Sequence, residues 1–158
     1  RIGAILAAVS TTGLERQRGY ADALRDYGLS MDPRLVCQIA PKIETGHAAA
    51  LEFLTAPDPP EAILTGNSLL TAGALQAIRE RGLRIPDQIA LVGVDDAIWA
   101  ALVQPAITVL AQPTDDIGRT ATELLLERIA DPTRRARKVV LQGQMIVRES
   151  SVRWRANG

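Results

Sequence analysis

The chain has 158 residues, of which 47% are hydrophobic and 23% are charged, a composition typical of one globular domain and unlike that of a disordered chain. Its 18 basic residues balance 18 acidic residues, so the net charge does not predict a surface that binds nucleic acid through its phosphates. The single cysteine, Cys37, excludes an intrachain disulfide and favours a reducing, cytoplasmic compartment. No apolar run is long enough to span a membrane, and the start at Arg1, without a leader or an initiator methionine, suggests a piece of a longer protein.

Short apolar segments alternate with amphipathic segments along the chain. The apolar segments predict strands at residues 2–9, 35–39, 62–65, 89–94, 108–111, 139–141 and 145–147. Helices are predicted to start near Thr12, Thr45, Asn67 and Thr114, all of which are residue types that cap helices. We therefore predict an α/β fold in which helices flank a parallel sheet.

Polar residues gather after three of the predicted strands. Thr12, Asn67 and the pair Asp95 and Asp96 each follow an apolar segment, and Arg16 lies one helical turn beyond Thr12. Because the carboxyl ends of parallel strands meet at one edge of a sheet, these side chains are expected to lie close together. A guanidinium, an amide, hydroxyls and a carboxylate suit a small, polar ligand that is bound by directional hydrogen bonds.

Each of these residues also has a simpler interpretation. Thr12, with Glu15 at capping-box spacing, and Asn67 are both good helix caps in any protein. Arg16 could be solvated beside Glu15. Asp95 alone could cap a turn, and Asp96 is predicted to cap the turn that follows it. Only the convergence of these residues favours a ligand site.

Signals for catalysis are weak. The chain has no glycine-rich dinucleotide fingerprint and no phosphate-binding loop. Its one histidine, His47, lies on an apolar helical stripe, which predicts a packing role. A triad of Ser10, His47 and Asp95 can be written down, but no nucleophile-elbow motif supports it. Asp95 and Asp96 have no clustered partners for a metal. We therefore predict no catalytic residue, no metal and no cofactor.

Several ordered segments carry a family resemblance. They are NSLLTAGAL at 67–75, RGLRIPDQIALVGVDD at 81–96, PAITV at 105–109, IGRTA at 117–121 and VRESS at 147–151. With Thr12, Arg16 and Tyr20 upstream, the chain resembles the lactose/galactose/purine repressor family of bacterial transcription regulators over essentially its whole length. The family joins an N-terminal helix-turn-helix to a two-lobed effector domain.

The resemblance implies a partial periplasmic-binding-protein-like (type I) fold. Residues 1–111 would form the C-terminal lobe without its first strand–helix unit. Residues 112–142 would belong to the N-terminal lobe, and residues 143–158 would return to the C-terminal lobe. DNA would be bound only through an N-terminal domain outside this chain.

The resemblance also implies roles for individual residues. The positions that match the family's effector cleft are Thr12, Arg16, Asn67, Asp95 and Gln112, with the arginine and the aspartate as the main anchors. Gln112 is indicated by the resemblance alone. Pro41 stands where the family often has an aromatic residue that stacks on the effector, so that platform is either missing or supplied by another residue. A homodimer is expected, with Leu69 and Trp99 near its interface. Core packing is the alternative role of Trp99.

The expected function is that of a cytoplasmic, effector-sensing part of a repressor, which binds a sugar, nucleoside or purine-like molecule and has no contact with a membrane. One alternative is a periplasmic sugar-binding protein of a transport system, and another is an enzyme with a flavodoxin-like fold. The apolar stripe of the helix near residues 117–129 belongs against a sheet that is largely missing. We therefore expect the chain to self-associate or to fold this helix onto its own sheet.

Overall fold

The computed structural model describes residues 1–8 and 10–152. The described residues form six strands: β1 Ile2–Ala7, β2 Val36–Ile39, β3 Ala62–Thr65, β4 Ala90–Val94, β5 Thr108–Ala111 and β6 Gln144–Ile146. They form four α-helices: α1 Thr11–Asp26, α2 Ile43–Thr55, α3 Ser68–Glu80 and α4 Thr114–Ala130. This alternation confirms the predicted α/β fold. Within the same residues, no helix is both long and apolar enough to cross a membrane.

All six strands belong to one sheet, in the order β2-β1-β3-β4-β5-β6. The first five strands are parallel to one another, and β6 runs antiparallel beside β5. The interior of β1 is buried along four consecutive residues. An uninterrupted apolar run of this kind suits a parallel strand that has side chains packed on both of its faces.

The larger core lies between one face of the sheet and the helices α2 and α3. Ile5, Ile63 and Ile78 are buried there with Leu70. The two helices approach closely at Gly73, where a Cβ atom would lie 2.5 Å from the backbone nitrogen of His47. A side chain at this position would therefore force α2 and α3 apart.

Helix α1 covers part of the opposite face of the sheet. Its buried residues Tyr20 and Leu24 pack with Ala4 and Leu6 of β1, because successive side chains of a strand point to opposite faces. The Tyr20 hydroxyl donates a hydrogen bond of 2.8 Å to the carbonyl oxygen of Ile2. Helix α1 is thus fixed to the first strand.

Beside α1, the same face of the sheet is open. An apolar groove of about 650 Å³ runs along it, and its walls include Leu6, Leu64, Val92 and Leu110. The groove reaches Arg16 at the end where the parallel strands finish. Parallel sheets usually have both faces covered by other elements. In this chain, the part of the face beside α1 is exposed to solvent.

The last part of the chain departs from the prediction. Helix α4 forms as predicted, yet it buries none of its residues, and Leu125 on its apolar stripe is 59% exposed. The strand predicted at residues 139–141 is wrong, because these residues have no regular structure. A strand forms only when its backbone pairs with that of a neighbouring strand. In the described part of the chain β6 is the edge strand of the sheet, and residues 139–141 do not pair with it.

The predicted starts or caps of three helices are also corrected. The side chain of Ser10, rather than that of Thr12, caps α1 by accepting a hydrogen bond of 2.9 Å from the Gly13 backbone N–H. Helix α2 begins two residues before Thr45, whose hydroxyl donates to the carbonyl oxygen of Ala40. At the start of α4, no side chain supplies a cap, so the cap predicted at Thr114 is absent.

Candidate functional site

Four neighbouring parallel strands end at one edge of the sheet. The strands β1, β3, β4 and β5 are adjacent and run in the same direction. Neighbouring strands lie roughly 4.8 Å apart, so the four ends span about 15 Å. Thr12 and Arg16 follow β1, Asn67 follows β3, Asp95 follows β4 and Gln112 follows β5. The fold therefore brings the five predicted site residues to a single edge.

Arg16 joins the first two of these strand ends. Its guanidinium nitrogen Nη1 donates a hydrogen bond of 2.8 Å to the carbonyl oxygen of Gly66, in the loop between β3 and α3. The side chain is half-buried, and this bond holds its positive charge at the sheet edge. Thr12 is exposed at the start of α1, with its hydroxyl 3.3 Å from the Ser10 hydroxyl.

Asn67 caps helix α3, as the sequence predicted. Its Oδ1 atom accepts a hydrogen bond of 2.9 Å from the backbone N–H of Leu70. The amide nitrogen of the same side chain is not part of this bond and can donate to a ligand. The structural role and the proposed binding role of Asn67 are therefore compatible.

Asp95 has an unusual backbone conformation. Among the described residues it is the one non-glycine residue with a positive φ, at 75°. Asp and Asn adopt this left-handed region more readily than other non-glycine residues do. Its N–H donates to the carbonyl oxygen of Leu110 at 3.0 Å, and its Oδ1 accepts from Nε2 of Gln112 at 2.5 Å. Gln112, which only the resemblance had indicated, thus contacts the predicted carboxylate directly.

Asp96 does not cap the following turn. The turn at Ile98–Ala101 has Ala97 at its N-cap and no capping side chain. Asp96 instead forms a two-pronged ion pair with Arg148, with nitrogen–oxygen distances of 2.7 Å and 2.9 Å. The hydrogen bond to Asp96, followed by its negative charge, raises the pKa of the Arg148 guanidinium.

Sequence reasoning missed Arg148 as a residue connected with the site. It lies 52 positions beyond its partner, so no local spacing could have linked the two side chains. The one available signal was its place in the VRESS segment, which contributed to the family resemblance. A third hydrogen bond, of 2.9 Å, joins the same guanidinium to the carbonyl oxygen of Ile107.

The hypothetical catalytic triad is not assembled. His47 lies on α2, where its Nε2 is 2.6 Å from Oε2 of Glu80 on α3. The Ser10 hydroxyl is used as a helix cap, and the Asp95 carboxylate accepts from Gln112. Over residues 1–8 and 10–152, no group of three or more His, Cys, Asp or Glu side chains could hold a metal ion.

The two residues predicted near a dimer interface differ in exposure. Leu69, in the first turn of α3, is exposed, whereas Trp99 is partly buried against the core. Two exposed apolar residues near Trp99 were not predicted from the sequence. Ile98 is 86% exposed and Leu102 is 78% exposed, on either side of Trp99.

Comparisons with known proteins agree on one family. A family model described as a periplasmic binding protein-like domain matches residues 1–151. The ribose operon repressor of Haemophilus influenzae is 32% identical over 135 residues, which cover 85% of this chain and 41% of the repressor. A complex of the transcriptional regulator CelR with cellobiose has a TM-score of 0.90 and 35% identity, and covers 96% of this chain and 46% of that one. A LacI-family regulatory protein from Chloroflexus aggregans has a TM-score of 0.87 and 30% identity, over 96% and 55% of the two chains.

The chain thus spans less than half the length of the ribose repressor. All three relatives are transcriptional regulators, which favours neither the transport protein nor the enzyme among the alternatives. The likeness extends over nearly the whole chain, as the ordered sequence segments had indicated. The chain therefore belongs to the periplasmic binding protein-like domain family, and its relatives within that family are LacI-type transcriptional regulators.

Proposed function

We propose that this chain is the effector-binding part of a bacterial, cytoplasmic transcriptional repressor. The observation that carries the proposal is the arrangement of Arg16, Asn67, Asp95 and Gln112 on adjacent strand ends, in a chain whose relatives are transcriptional regulators. The protein would act by binding alone, without a catalytic residue, a metal or a cofactor.

The chemistry of the edge suits a sugar. The Asp95 carboxylate accepts hydrogen bonds, the Arg16 guanidinium donates them, and the Gln112 amide does both. Vicinal hydroxyl groups need such a mixture, because each hydroxyl can donate one bond and accept others. Thr12 adds a hydroxyl at the exposed side of the edge. The relatives named for ribose and cellobiose make a sugar the first candidate to test, with a nucleoside or a purine as the alternative.

The division into lobes is part of the proposal. Residues 1–111 would form the C-terminal lobe, residues 112–142 would belong to the N-terminal lobe, and residues 143–158 would return to the first. Two observations support it: α4 buries none of its residues, and no regular structure is assigned between α4 and β6. Both are expected of a segment whose packing partner belongs to another lobe. Of the last segment, residues 153–158 lie outside the described residues.

Such an arrangement converts binding into regulation. An effector held by Arg16 and Asp95 on this lobe, and by groups of the second lobe, would favour the arrangement that makes both sets of contacts. The ligand shifts the equilibrium only by its difference in affinity for the two arrangements. DNA would be bound by an N-terminal domain outside this chain, and its affinity for DNA would follow the lobe arrangement.

A homodimer interface is proposed at Leu69 and Trp99. Ile98 and Leu102, on either side of Trp99, support it, because strongly exposed apolar side chains that lie close together in the chain are typical of protein interfaces. A Leu102→Glu variant is expected to sediment as a monomer, since the substitution places a charge in the interface. Met31→Glu, at an exposed apolar position on another surface, is the matched control and should leave the dimer intact.

The binding proposal is tested by calorimetry on the intact repressor, with ribose, cellobiose and purines as probes. The probe that binds is then titrated into an Asp95→Asn variant, which keeps a residue type suited to a positive φ while it removes the charge. Loss of a charged hydrogen-bond acceptor should weaken binding about 10-fold to 100-fold.

Asp87→Asn serves as a matched control, because Asp87 is a surface carboxylate paired with Arg84 and precedes β4, whereas Asp95 follows that strand. It should bind as the unmodified protein does. If Asp95→Ala and Asp95→Asn both bind the probe as tightly as the unmodified protein, the assignment of this edge as the effector site is wrong.

A further inference from the structure

Asp95 is held in place from two directions. On one side, its N–H donates to the carbonyl oxygen of Leu110, and its carboxylate accepts from Gln112. On the other side, the next residue, Asp96, is bound to Arg148. A left-handed conformation costs a non-glycine residue roughly 1 kcal/mol, so it persists only where its surroundings maintain it. The contacts of Asp96 are therefore relevant to the conformation of Asp95.

Arg148 is itself firmly anchored. Its backbone N–H donates to the Thr108 hydroxyl at 2.8 Å, and the same hydroxyl donates to the Arg148 carbonyl oxygen at 2.9 Å. Two residues on, the buried Ser150 hydroxyl accepts from the Thr108 N–H at 2.8 Å and donates to the carbonyl oxygen of Leu91. The return segment is thus fixed to β4 and β5 by bonds that do not involve the guanidinium of Arg148.

That guanidinium then reaches from the fixed segment to the loop that carries Asp95. It binds both oxygens of Asp96 and also the carbonyl oxygen of Ile107, just before β5. The Arg148 side chain is 16% exposed and that of Asp96 is 30% exposed, so the pair is better shielded than the exposed pair of Arg84 and Asp87. Paired parallel N–H···O bonds fix direction as well as distance, which a single point charge does not do.

We propose that Arg148 is a positioning residue for the effector site: through Asp96 it holds Asp95 in its left-handed conformation without contacting the ligand. The consequence for ligand affinity rests on the proposed function, whereas the consequence for the conformation of Asp95 does not. Residues 112–142, proposed to belong to the other lobe, separate Arg148 from Asp95 in the sequence. Arg148, which follows this segment, therefore supports Asp95, which precedes it.

The test is residue-resolved hydrogen exchange by NMR on the chain. In an Arg148→Gln variant, the Asp95 amide should exchange about 10-fold faster, because the loop opens locally more often. The Thr108 amide should keep its rate, since its bond to Ser150 does not involve the Arg148 side chain. Asp96→Asn should reproduce the effect, and Arg148→Lys should restore part of the protection, because it keeps the charge without the two-pronged geometry.

Arg84→Gln is the matched control, since it removes an arginine from an exposed ion pair with Asp87. It should leave the Asp95 amide unchanged. Unaltered exchange of Asp95 in Arg148→Gln would overturn the proposal. Equal acceleration of Asp95 and Thr108 would overturn it too, because that result indicates general loosening of the return segment.

A second measurement separates this inference from the proposed function. Cellobiose and ribose are titrated into the intact repressor carrying Arg148→Gln or Asp95→Asn. Weaker binding in both variants, together with faster exchange of the Asp95 amide in Arg148→Gln, supports both proposals. Faster exchange with unchanged binding in Asp95→Asn supports the positioning role and rejects the effector site. Weaker binding in Asp95→Asn with unchanged exchange in Arg148→Gln rejects the positioning role and leaves the effector site standing.

Discussion

Two regions of this molecule differ in how much of their amphipathic helices they bury. The body comprises residues 1–111 and 144–152, and the arm comprises residues 112–143. Helix α3 of the body has 13 residues and buries seven of them, whereas helix α4 of the arm has 17 residues and buries none. Both helices were predicted from their apolar periodicity. The difference shows that periodicity specifies a helix and the face that needs a partner, but not where that partner lies.

The sharpest test of this comparison replaces one glycine in each helix. A Cβ on Gly73 of α3 would overlap the carbonyl oxygen of Ile43 in α2, whereas a Cβ on Gly118 of α4 would meet nothing within 4 Å. Gly73→Ala should lower the free energy of unfolding by about 4 kcal/mol or more, because backbone atoms cannot move aside cheaply. Gly118→Ala should stabilise α4 by about 0.5–1 kcal/mol, because alanine favours helix.

Urea denaturation followed by far-UV circular dichroism measures both effects. If Gly73→Ala proves as stable as the unmodified chain, α2 and α3 do not pack as closely as described. If Gly118→Ala is strongly destabilising, α4 has a packing partner in solution, and the contrast between body and arm fails.

A second test removes one leucine side chain from each region. Leu70 of α3 is fully buried, whereas Leu125 of α4 is 59% exposed. Leu70→Ala should cost about 3 kcal/mol through lost burial and the cavity that remains. Leu125→Ala should change the free energy of unfolding by less than about 0.5 kcal/mol. Equal losses in the two variants would show that α4 packs against the open groove or against a second copy, as expected from its apolar stripe.

A third test uses Cys37 to report on the body alone. Burial, followed by the charge of Glu52, raises the pKa of the Cys37 thiol from 9.0 to about 11. At about pH 8 an alkylating agent should therefore react about 100-fold more slowly with the folded chain than with the chain in urea, since the thiolate is the reactive form.

The same shift has a defined sign for stability. The folded state holds the thiol proton more tightly, so the stability contributed by Cys37 is present below pH 9.0 and is lost as the pH rises through about 11.

The alkylation experiment has a control in the arm. Leu125→Ala should leave alkylation of Cys37 slow, because a change in the arm does not open the body. Fast alkylation of the unmodified folded chain would contradict the partial burial of Cys37.

The smallest effect is expected for an ion pair of the arm. Glu127 contacts Arg134 at 3.2 Å and Arg137 at 2.5 Å, and all three side chains are exposed by more than a third. Solvent and salt screen such pairs, so Glu127→Gln should change the free energy of unfolding by less than about 1 kcal/mol. Denaturation at low and high salt checks this. A loss as large as that of Leu70→Ala would mean that these charges hold the arm in a packed position.

Local signals predicted most of the body. The strand at residues 62–65 and the run that ends in Val94 were recognisable because buried parallel strands are apolar without interruption. Asn67 was correctly predicted as a cap, because capping depends on residues only three positions apart. Elements whose stability depends on near neighbours in the sequence can be predicted from that sequence.

The failures share the opposite cause. The apolar residues 139–141 have the composition of a strand, but a strand forms only beside another backbone, and the composition does not show whether one is present. Asp96 was assigned to a nearby turn because its partner, Arg148, lies 52 positions away. At the site, the order of β1, β3, β4 and β5 decides which side chains become neighbours, and that order is a property of the whole sheet.

The conformation of Asp95 also limits how such a site can change during evolution or design. At a φ of 75°, aspartate, asparagine and glycine are accommodated, whereas β-branched and bulky side chains are strongly disfavoured. Few substitutions at this position could alter ligand preference without rebuilding the loop. Gln112 and Thr12 have ordinary backbone conformations and accept a wider range of side chains. A library intended to give the protein a new ligand should therefore vary Gln112 and Thr12 and leave Asp95 unchanged.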